Sequence, residues 1–291
     1  MKVALTGSTG LVGSALVPLL TNIGHDVVRL FRPAQWDPEK ETISADVLNG
    51  VDAVVHLAGE NIAAGRWTAA RKARIRDSRV KGTKLIAETL AKTKRAPQVL
   101  VSASAIGYYG DRGGEILRED SPPGKGFLPD VCCKWEAATD PATRKGIRVV
   151  HLRTGIVLSE KGGALRQMLF PFKLGVGGKI GSGHQYWSWI SLGDICSAIV
   201  HCIQASGLHG PVNVVSPSPM TNMEFTKVLG RVLNRPTIFP VPAFAARLVF
   251  GEMADALLLS SARVEPAKLL ASRFVFRHRD LEAALRDLLP S

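Results

Sequence analysis

Val3-Ala4-Leu5-Thr6-Gly7-Ser8-Thr9-Gly10-Leu11-Val12-Gly13 is the stretch on which the fold turns. A short apolar run enters a glycine triplet at 7, 10 and 13. It leaves as helical periodicity over Val12 to Leu20, with Gly24 as the stop. Strand, tight turn and helix in that order build a cradle for a diphosphate. Glycine at 7 permits the turn, glycine at 10 lets backbone approach a pyrophosphate, and glycine at 13 lets helix and strand pack closely. The helix N-terminus then offers free N–H groups and a partial positive charge to an anion. A spaced glycine triplet alone is weak evidence; the strand–turn–helix setting gives it weight. The loop Gly7-Ser8-Thr9-Gly10 is therefore expected to hold a dinucleotide.

Outward from this cradle, short β-rich runs alternate with amphipathic helical stretches up to about residue 155. The expected strands are Val3–Thr6, Val27–Phe31, Ala53–Leu57, Val99–Ser102 and Arg148–Leu152. Expected helices cover Trp67 to Ala91 and Phe127 to Ala138. Such alternation predicts an α/β fold, a Rossmann-type doubly wound parallel sheet. Beyond 155 the texture changes. Residues 175–183 are glycine-dense and read as loop. Asp194 to Gln204 reads as a helix and Val212–Val215 as one more strand. Thr221-Asn222-Met223-Glu224 is a capping box opening a helix towards Leu233, and a leucine stripe from Leu281 to Leu289 ends the chain. The expected division is a dinucleotide domain of 1–157 with 192–216, and a smaller, discontinuous C-terminal substrate domain of 158–191 with 217–291.

The end of the second strand bears on which dinucleotide is bound. Sites for NAD place an acid there, to hold the ribose 2′-hydroxyl. Here the sequence is Leu30-Phe31-Arg32, without an acid. A guanidinium suits a 2′-phosphate that a carboxylate would repel, so the expected cofactor is NADP(H). Val54-Val55-His56-Leu57-Ala58-Gly59 is an apolar strand ending in small residues, a floor on which adenosine and diphosphate can lie.

Composition narrows the function class. With 46% hydrophobic and 21% charged residues, the chain reads as an ordinary globular protein. No apolar run is long enough to cross a bilayer, and the start resembles neither a signal nor a transit sequence. The expected compartment is the cytoplasm. The cysteines, Cys132, Cys133, Cys196 and Cys202, fit neither a zinc ribbon nor a CxxC pair, and no metal site is expected. Net charge is +12, densest from Arg66 to Lys84. The helical spacing of that segment reads as a solvated face rather than a nucleic-acid stripe. Expected partners are a small-molecule substrate and at most a second copy of the chain, with neither membrane nor nucleic acid.

The glycine loop, Leu57-Ala58-Gly59, Ser102-Ala103-Ser104-Ala105 and Tyr108-Tyr109-Gly110 together resemble an extended short-chain dehydrogenase/reductase. Ala58-Gly59-Glu60-Asn61, Arg66-Trp67, Ser78-Arg79-Val80, Lys134-Trp135-Glu136, Gly181-Ser182-Gly183-His184-Gln185 and Trp189-Ile190 narrow the resemblance. They are similar to the 39U1-like family of predicted NAD-dependent epimerases with a short C-terminal domain, whose bacterial and plastid members are often labelled cell-division inhibitors. The resemblance implies cofactor contacts from Gly7, Gly10, Leu11, Val12, Phe31, Arg32, Leu57, Ala58 and Arg79, and from Gly155 to Val157. Arg79 stands where ordinary extended members carry asparagine; it either reaches a cofactor phosphate or ribose, or faces solvent.

Hydride transfer in this superfamily uses a Tyr-x-x-x-Lys pair with a Ser or Thr, the tyrosine serving as acid or base. The three tyrosines, Tyr108, Tyr109 and Tyr186, are followed four residues later by Arg112, Gly113 and Ile190. If Lys134 marks the lysine, Asp130 holds the tyrosine position; if Glu136 sets the register, Leu128 and Cys132 hold the pair. Ser104 and Lys134 are the catalytic candidates that remain, although a strand-end serine also caps backbone. Glu60, Asn61 and Glu136 are candidates to line the pocket, with Tyr108 or Tyr109 as a displaced acid. The loop 177–185 with Trp187 and Trp189 is either a lid over the substrate or a satellite core. Two functions follow: an NADP-dependent oxidoreductase or epimerase, or an NADP-binding regulator with altered chemistry.

Overall fold

A computed structural model of the chain describes residues 1–289. Six strands form one parallel sheet: β1 (Lys2–Thr6), β2 (Asp26–Leu30), β3 (Ala53–His56), β4 (Val99–Ala105), β5 (Arg148–Thr154) and β6 (Gly210–Val214). Their spatial order is β2-β1-β3-β4-β5-β6. The order reverses between β1 and β3, so a crevice opens at the C-terminal ends of those two strands.

The sheet is covered on both faces because its strands are apolar on both. Val3, Leu5, Val99, Val101, Val150 and Leu152 face α1 (Leu11–Asn22) and a later helix, Leu192–Gln204. Ala4, Val54, Leu100 and Val149 point the other way, against α2 (Ala69–Lys92). α3 (Phe127–Ala137) and α4 (Asp140–Arg144) continue that second layer. The twofold alternation along each strand makes both layers possible.

The smaller lobe is built from α5 (Gly163–Lys173), α7 (Asn222–Val232) and α10 (Leu281–Leu288) around Trp187, Trp189 and Phe225. The Thr221 capping box is present, with Thr221 and Glu224 exchanging bonds. Between these pieces α6 (Leu192–Gln204) and β6 return to the sheet. Arg148 fixes that return by donating to the carbonyls of Cys202, Ile203 and Leu208 at 2.8–2.9 Å, closing the C-terminal end of α6.

The structure refines the expected division at the C-terminal end. α8 (Ala243–Phe250) and α9 (Ala267–Ala271) lie between α7 and α10 in sequence. Leu269, Phe274 and Phe276 then join the core of the sheet rather than that of the smaller lobe. Asp194 explains the detour, because its carboxylate accepts the backbone N–H of Arg277 at 2.8 Å and of His278 at 3.0 Å. No helix among the described residues is long and apolar enough to cross a membrane.

Candidate functional site

The crevice at the top of β1 has the geometry that a diphosphate requires. Gly7 adopts φ +73°, and a Cβ there would stand 2.8 Å from the Ala58 nitrogen. A Cβ at Gly13 would overlap the Gly7 carbonyl oxygen. Both glycines are therefore needed for helix, turn and strand to approach. Gly10 differs: its Cβ would meet only the Gly7 oxygen at 3.3 Å, so its other side is open. It is the N-cap of α1, with neither a capping side chain nor an acid in the first turn. Those N–H groups remain available to an anion. Ser8 is buried beside them, and its Oγ has no partner within the protein. An open cradle, an uncapped helix end and an orphaned hydroxyl fit a dinucleotide diphosphate. Thr9, Leu11 and Val12 complete the turn, and Leu11 packs against Gly162 and Gly163 of the smaller lobe.

The end of β2, where a 2′-phosphate was expected, carries Phe31 and Arg32. Phe31 is exposed with the Arg29 guanidinium 4.8 Å from its ring centre. Arg32 is half-exposed, 5.8 Å from the Trp36 ring and 3.3 Å from an exposed Glu39. A surface pair of that kind is worth little and yields readily to a phosphate. On the far side of the cradle, Leu57 and Ala58 back onto Gly7. Val157 follows β5 in a short parallel pairing with Ile190.

Arg79 does not face solvent. Its guanidinium donates to the carbonyls of Glu60 and Ile75, each at 3.1 Å, and lies 5.0 Å from the Trp135 ring. Its stem packs on Gly59. Burial pulls its pKa below the usual arginine range. Arg71, also buried, bonds Glu60 and the Asn61 carbonyl. Two charges of the basic helix thus hold the loop after β3 in place.

The catalytic candidates do not come together. Lys134 is exposed on the outer side of α3, whereas Ser104 is buried on β4. Two residues along a helix is about 200°, so Lys134 and Glu136 point opposite ways, and Glu136 is the one turned inwards. Ser104 Oγ donates to Glu136 Oε1 at 2.7 Å. Arg153 on β5 grips the same carboxylate with Nε and Nη2, both at 2.9 Å. Its Nη1 reaches the Tyr109 hydroxyl at 3.1 Å, and that hydroxyl donates to Asn213 at 2.7 Å. Burial opposes the Arg153 charge, but Glu136 and Tyr109 outweigh it and raise its pKa.

Glu136 fits the register in which Leu128 and Cys132 stand for the tyrosine and lysine. In that register both residues face Gly107, where a Cβ would lie 3.4 Å from Leu128 and 3.9 Å from Cys132. Leu128 sits among Trp67, Ile75 and Met253. Burial pushes the Cys132 thiol up to about 12, so it stays neutral. Neither side chain can do what a tyrosine and a lysine do. Tyr109 is buried and spent on structure, which leaves Tyr108. It is half-buried beside Ile106, with the Arg153 guanidinium 3.4 Å above its ring.

The glycine loop is pinned rather than free. Gly177 packs on the Phe172 ring and Gly178 against the Phe239 carbonyl. Gln185 donates to the carbonyls of Ile180 and Leu258, each at 3.0 Å. Trp187 and Trp189 are core, and Trp189 bonds Ser218 at 2.9 Å. Of this segment Ser182 and His184 remain exposed. Arg153 was missed from sequence, yet it left a signal: an arginine inside the apolar strand Val149-Val150-His151-Leu152-Arg153 needs a buried partner.

The sequence pattern of the NAD dependent epimerase/dehydratase family matches residues 3–215. The chain belongs to that family. A second pattern, a domain of unknown function (DUF1731), matches residues 241–288 of this family member. Epimerase family protein Mb2239 of Mycobacterium bovis is 44% identical over 290 residues, covering 97% of this chain and 96% of that protein. The crystal structure of human epimerase family protein SDR39U1 (isoform 2) with NADPH superposes with a TM-score of 0.91 at 36% identity, covering 99% of both chains. A nucleoside-diphosphate sugar epimerase from Corynebacterium glutamicum gives 0.83 at 37% identity, over 99% of this chain and 58% of that one. The resemblance read from the motifs is thus a family membership.

Proposed function

We propose that this epimerase-family protein is an NADP(H)-dependent oxidoreductase working in the reductive direction on a small-molecule substrate. The observation that carries the proposal is the open cradle at Gly10, with Arg32 rather than an acid at the end of β2. The human relative solved with NADPH supports the choice of cofactor. Gly7, Gly10 and the first turn of α1 would hold the diphosphate, Ser8 Oγ would donate to it, and Arg32 would take the 2′-phosphate. Bound there, a nicotinamide supplies a hydride.

The residues at the tyrosine and lysine positions point to reduction rather than a reversible 4-epimerase cycle. Leu128 and Cys132 cannot abstract a hydroxyl proton, a service typically worth about 10²–10⁴ in rate. Tyr108 can donate one. Burial raises its pKa, and the nearby Arg153 only partly opposes the rise, so the phenol stays protonated at neutral pH. A protonated acid is what a carbonyl needs as it accepts hydride.

A panel of aldehydes, ketones and nucleotide sugars, followed by NADPH absorbance, tests the reading. Turnover on a carbonyl that falls about 10²–10⁴-fold in Tyr108→Phe supports it; unchanged turnover removes Tyr108. A second reading, an NADP-binding regulator, is favoured by the same Leu128 and Cys132. Tight NADPH binding with no turnover across the panel would select it.

A further inference from the structure

One face of the smaller lobe and of α8 exposes large apolar side chains in number. Phe170 is 73% exposed, Ile238 73%, Phe244 72% and Leu248 74%. Leu174, Val176, Phe239 and Val249 are exposed beside them. These residues form one surface. Val241 N–H donates to the Lys179 carbonyl at 2.8 Å, Arg235 Nε to the Lys173 carbonyl at 2.9 Å, and Gly178 abuts Phe239. Phe244 and Leu248, four apart on α8, continue the apolar stripe.

The segments that build this face are rich in bases, with Glu224 the exposed acid of α7. Residues 161–193 carry Lys161, Arg166, Lys173 and Lys179 and no acid, although the chain has 25 acids. Residues 225–251 carry Lys227, Arg231, Arg235 and Arg247, again without an acid. Asp255 and Glu282, which approach from elsewhere, are bound to Arg247 and Arg231, and Glu252 to Lys72. Lys173, Lys179, Lys227 and Arg235 make no ion pair among the described residues. Lys179 and Lys227 line a shared hollow with Thr237, Ile238 and Pro240; the Lys179 ammonium donates to the Ser182 carbonyl at 3.2 Å, and neither ammonium has a carboxylate partner.

We propose that this face docks the protein on an anionic lipid surface, with the aromatic and aliphatic tips entering the headgroup boundary and the free cations meeting lipid phosphates. Apolar side chains bordered by lysine and arginine are what such a surface retains. A second copy of the chain is the poorer occupant. A twofold interface would set the same patch against itself, with the cations that lack an ion partner crowded on both sides of it. The expectation of no membrane contact rested on the lack of a spanning segment, and a surface-docked protein needs none.

Co-sedimentation with phosphatidylcholine vesicles, and with vesicles that also contain phosphatidylglycerol, tests the proposal. The protein is expected to bind the anionic vesicles at low salt, to bind the neutral ones at least tenfold less, and to release as salt rises. Phe244→Ser/Leu248→Ser and Lys173→Glu/Lys227→Glu are each expected to lose at least tenfold while keeping the wild-type circular dichroism. On the unaltered protein, hydrogen exchange with anionic vesicles should show protection centred on residues 170–176 and 236–250. No binding to anionic vesicles, binding by both double variants as tight as by the unaltered protein, or protection elsewhere would overturn it. A dimer in sedimentation that the Phe244/Leu248 variant dissolves would instead give the face to a second copy.

Discussion

At the residue scale, two buried polar groups carry measurable consequences. His56 is buried at the end of β3 with Nδ1 2.7 Å from Thr6 Oγ1, and burial lowers its pKa from 6.5 to about 4. Between those values the unfolded chain binds a proton that the folded chain refuses. Stability from this group is therefore complete above about pH 6.5 and is lost as pH falls towards 4. The loss is on the order of 3 kcal/mol at ~1.4 kcal/mol per pKa unit. Melting temperatures between pH 7 and pH 4.5 should fall less steeply in His56→Gln than in the unaltered protein. Burial also lowers His151, so the slope should shrink without vanishing. Parallel slopes in the two proteins would rule out His56 as the source. Glu136 is the second group. Glu136→Ala would leave the Arg153 guanidinium buried without its carboxylate, and breaking such a pair costs about 3–5 kcal/mol. Urea titration should show that loss; a change under about 1 kcal/mol, within the range of an exposed pair, would mean that the pair is solvated.

Elements were legible where local chemistry and tertiary demand agree. The six strands fall within three residues of expectation because each must bury both faces, and a run such as Val99-Leu100-Val101 suits little else. The Thr221 box and the leucine stripe from Leu281 marked two helices correctly, and the second is capped by Asp280, whose Oδ1 accepts from Ala283 N–H at 2.9 Å. α5 was hidden by its own signals. It starts in Gly162-Gly163 and contains Pro171, both of which read as breakers, and only packing of Leu165, Leu169 and Phe172 pulls it into a helix. α8 escaped notice because an exposed apolar helix lacks the polar face that periodicity detects. The glycine cradle yields a contrast testable at this scale. Gly13→Ala puts a methyl into the Gly7 carbonyl and should cost on the order of 1–3 kcal/mol of stability. Gly10→Val meets only open space on its outer side and should fold, yet lose dinucleotide binding. Thermal shift with and without NADPH separates the two, and a ligand shift retained by Gly10→Val would place the phosphates elsewhere.

For the whole molecule, the shape of the glycine cradle was legible in the sequence, whereas the side-chain network around Glu136 was not. Glycines and a strand-end arginine act through backbone shape and charge, which are local. The acid–base register depended on which α3 residue turns inwards, and that was decided by Arg153, 17 residues beyond Glu136 and on another element. The lid reading gave way for the same reason: Gln185 is held by Leu258, 73 residues away. The proposed function needs a cradle that prefers the 2′-phosphate, with Leu128 and Cys132 on the inward face of α3. Calorimetric titration of the protein and of Arg32→Ala with NADPH and with NADH tests it most directly. The account predicts NADPH binding at least tenfold tighter than NADH, with Arg32→Ala removing most of that preference and leaving NADH affinity nearly unchanged. Equal affinity for the two dinucleotides, or equal losses for both in Arg32→Ala, would contradict it.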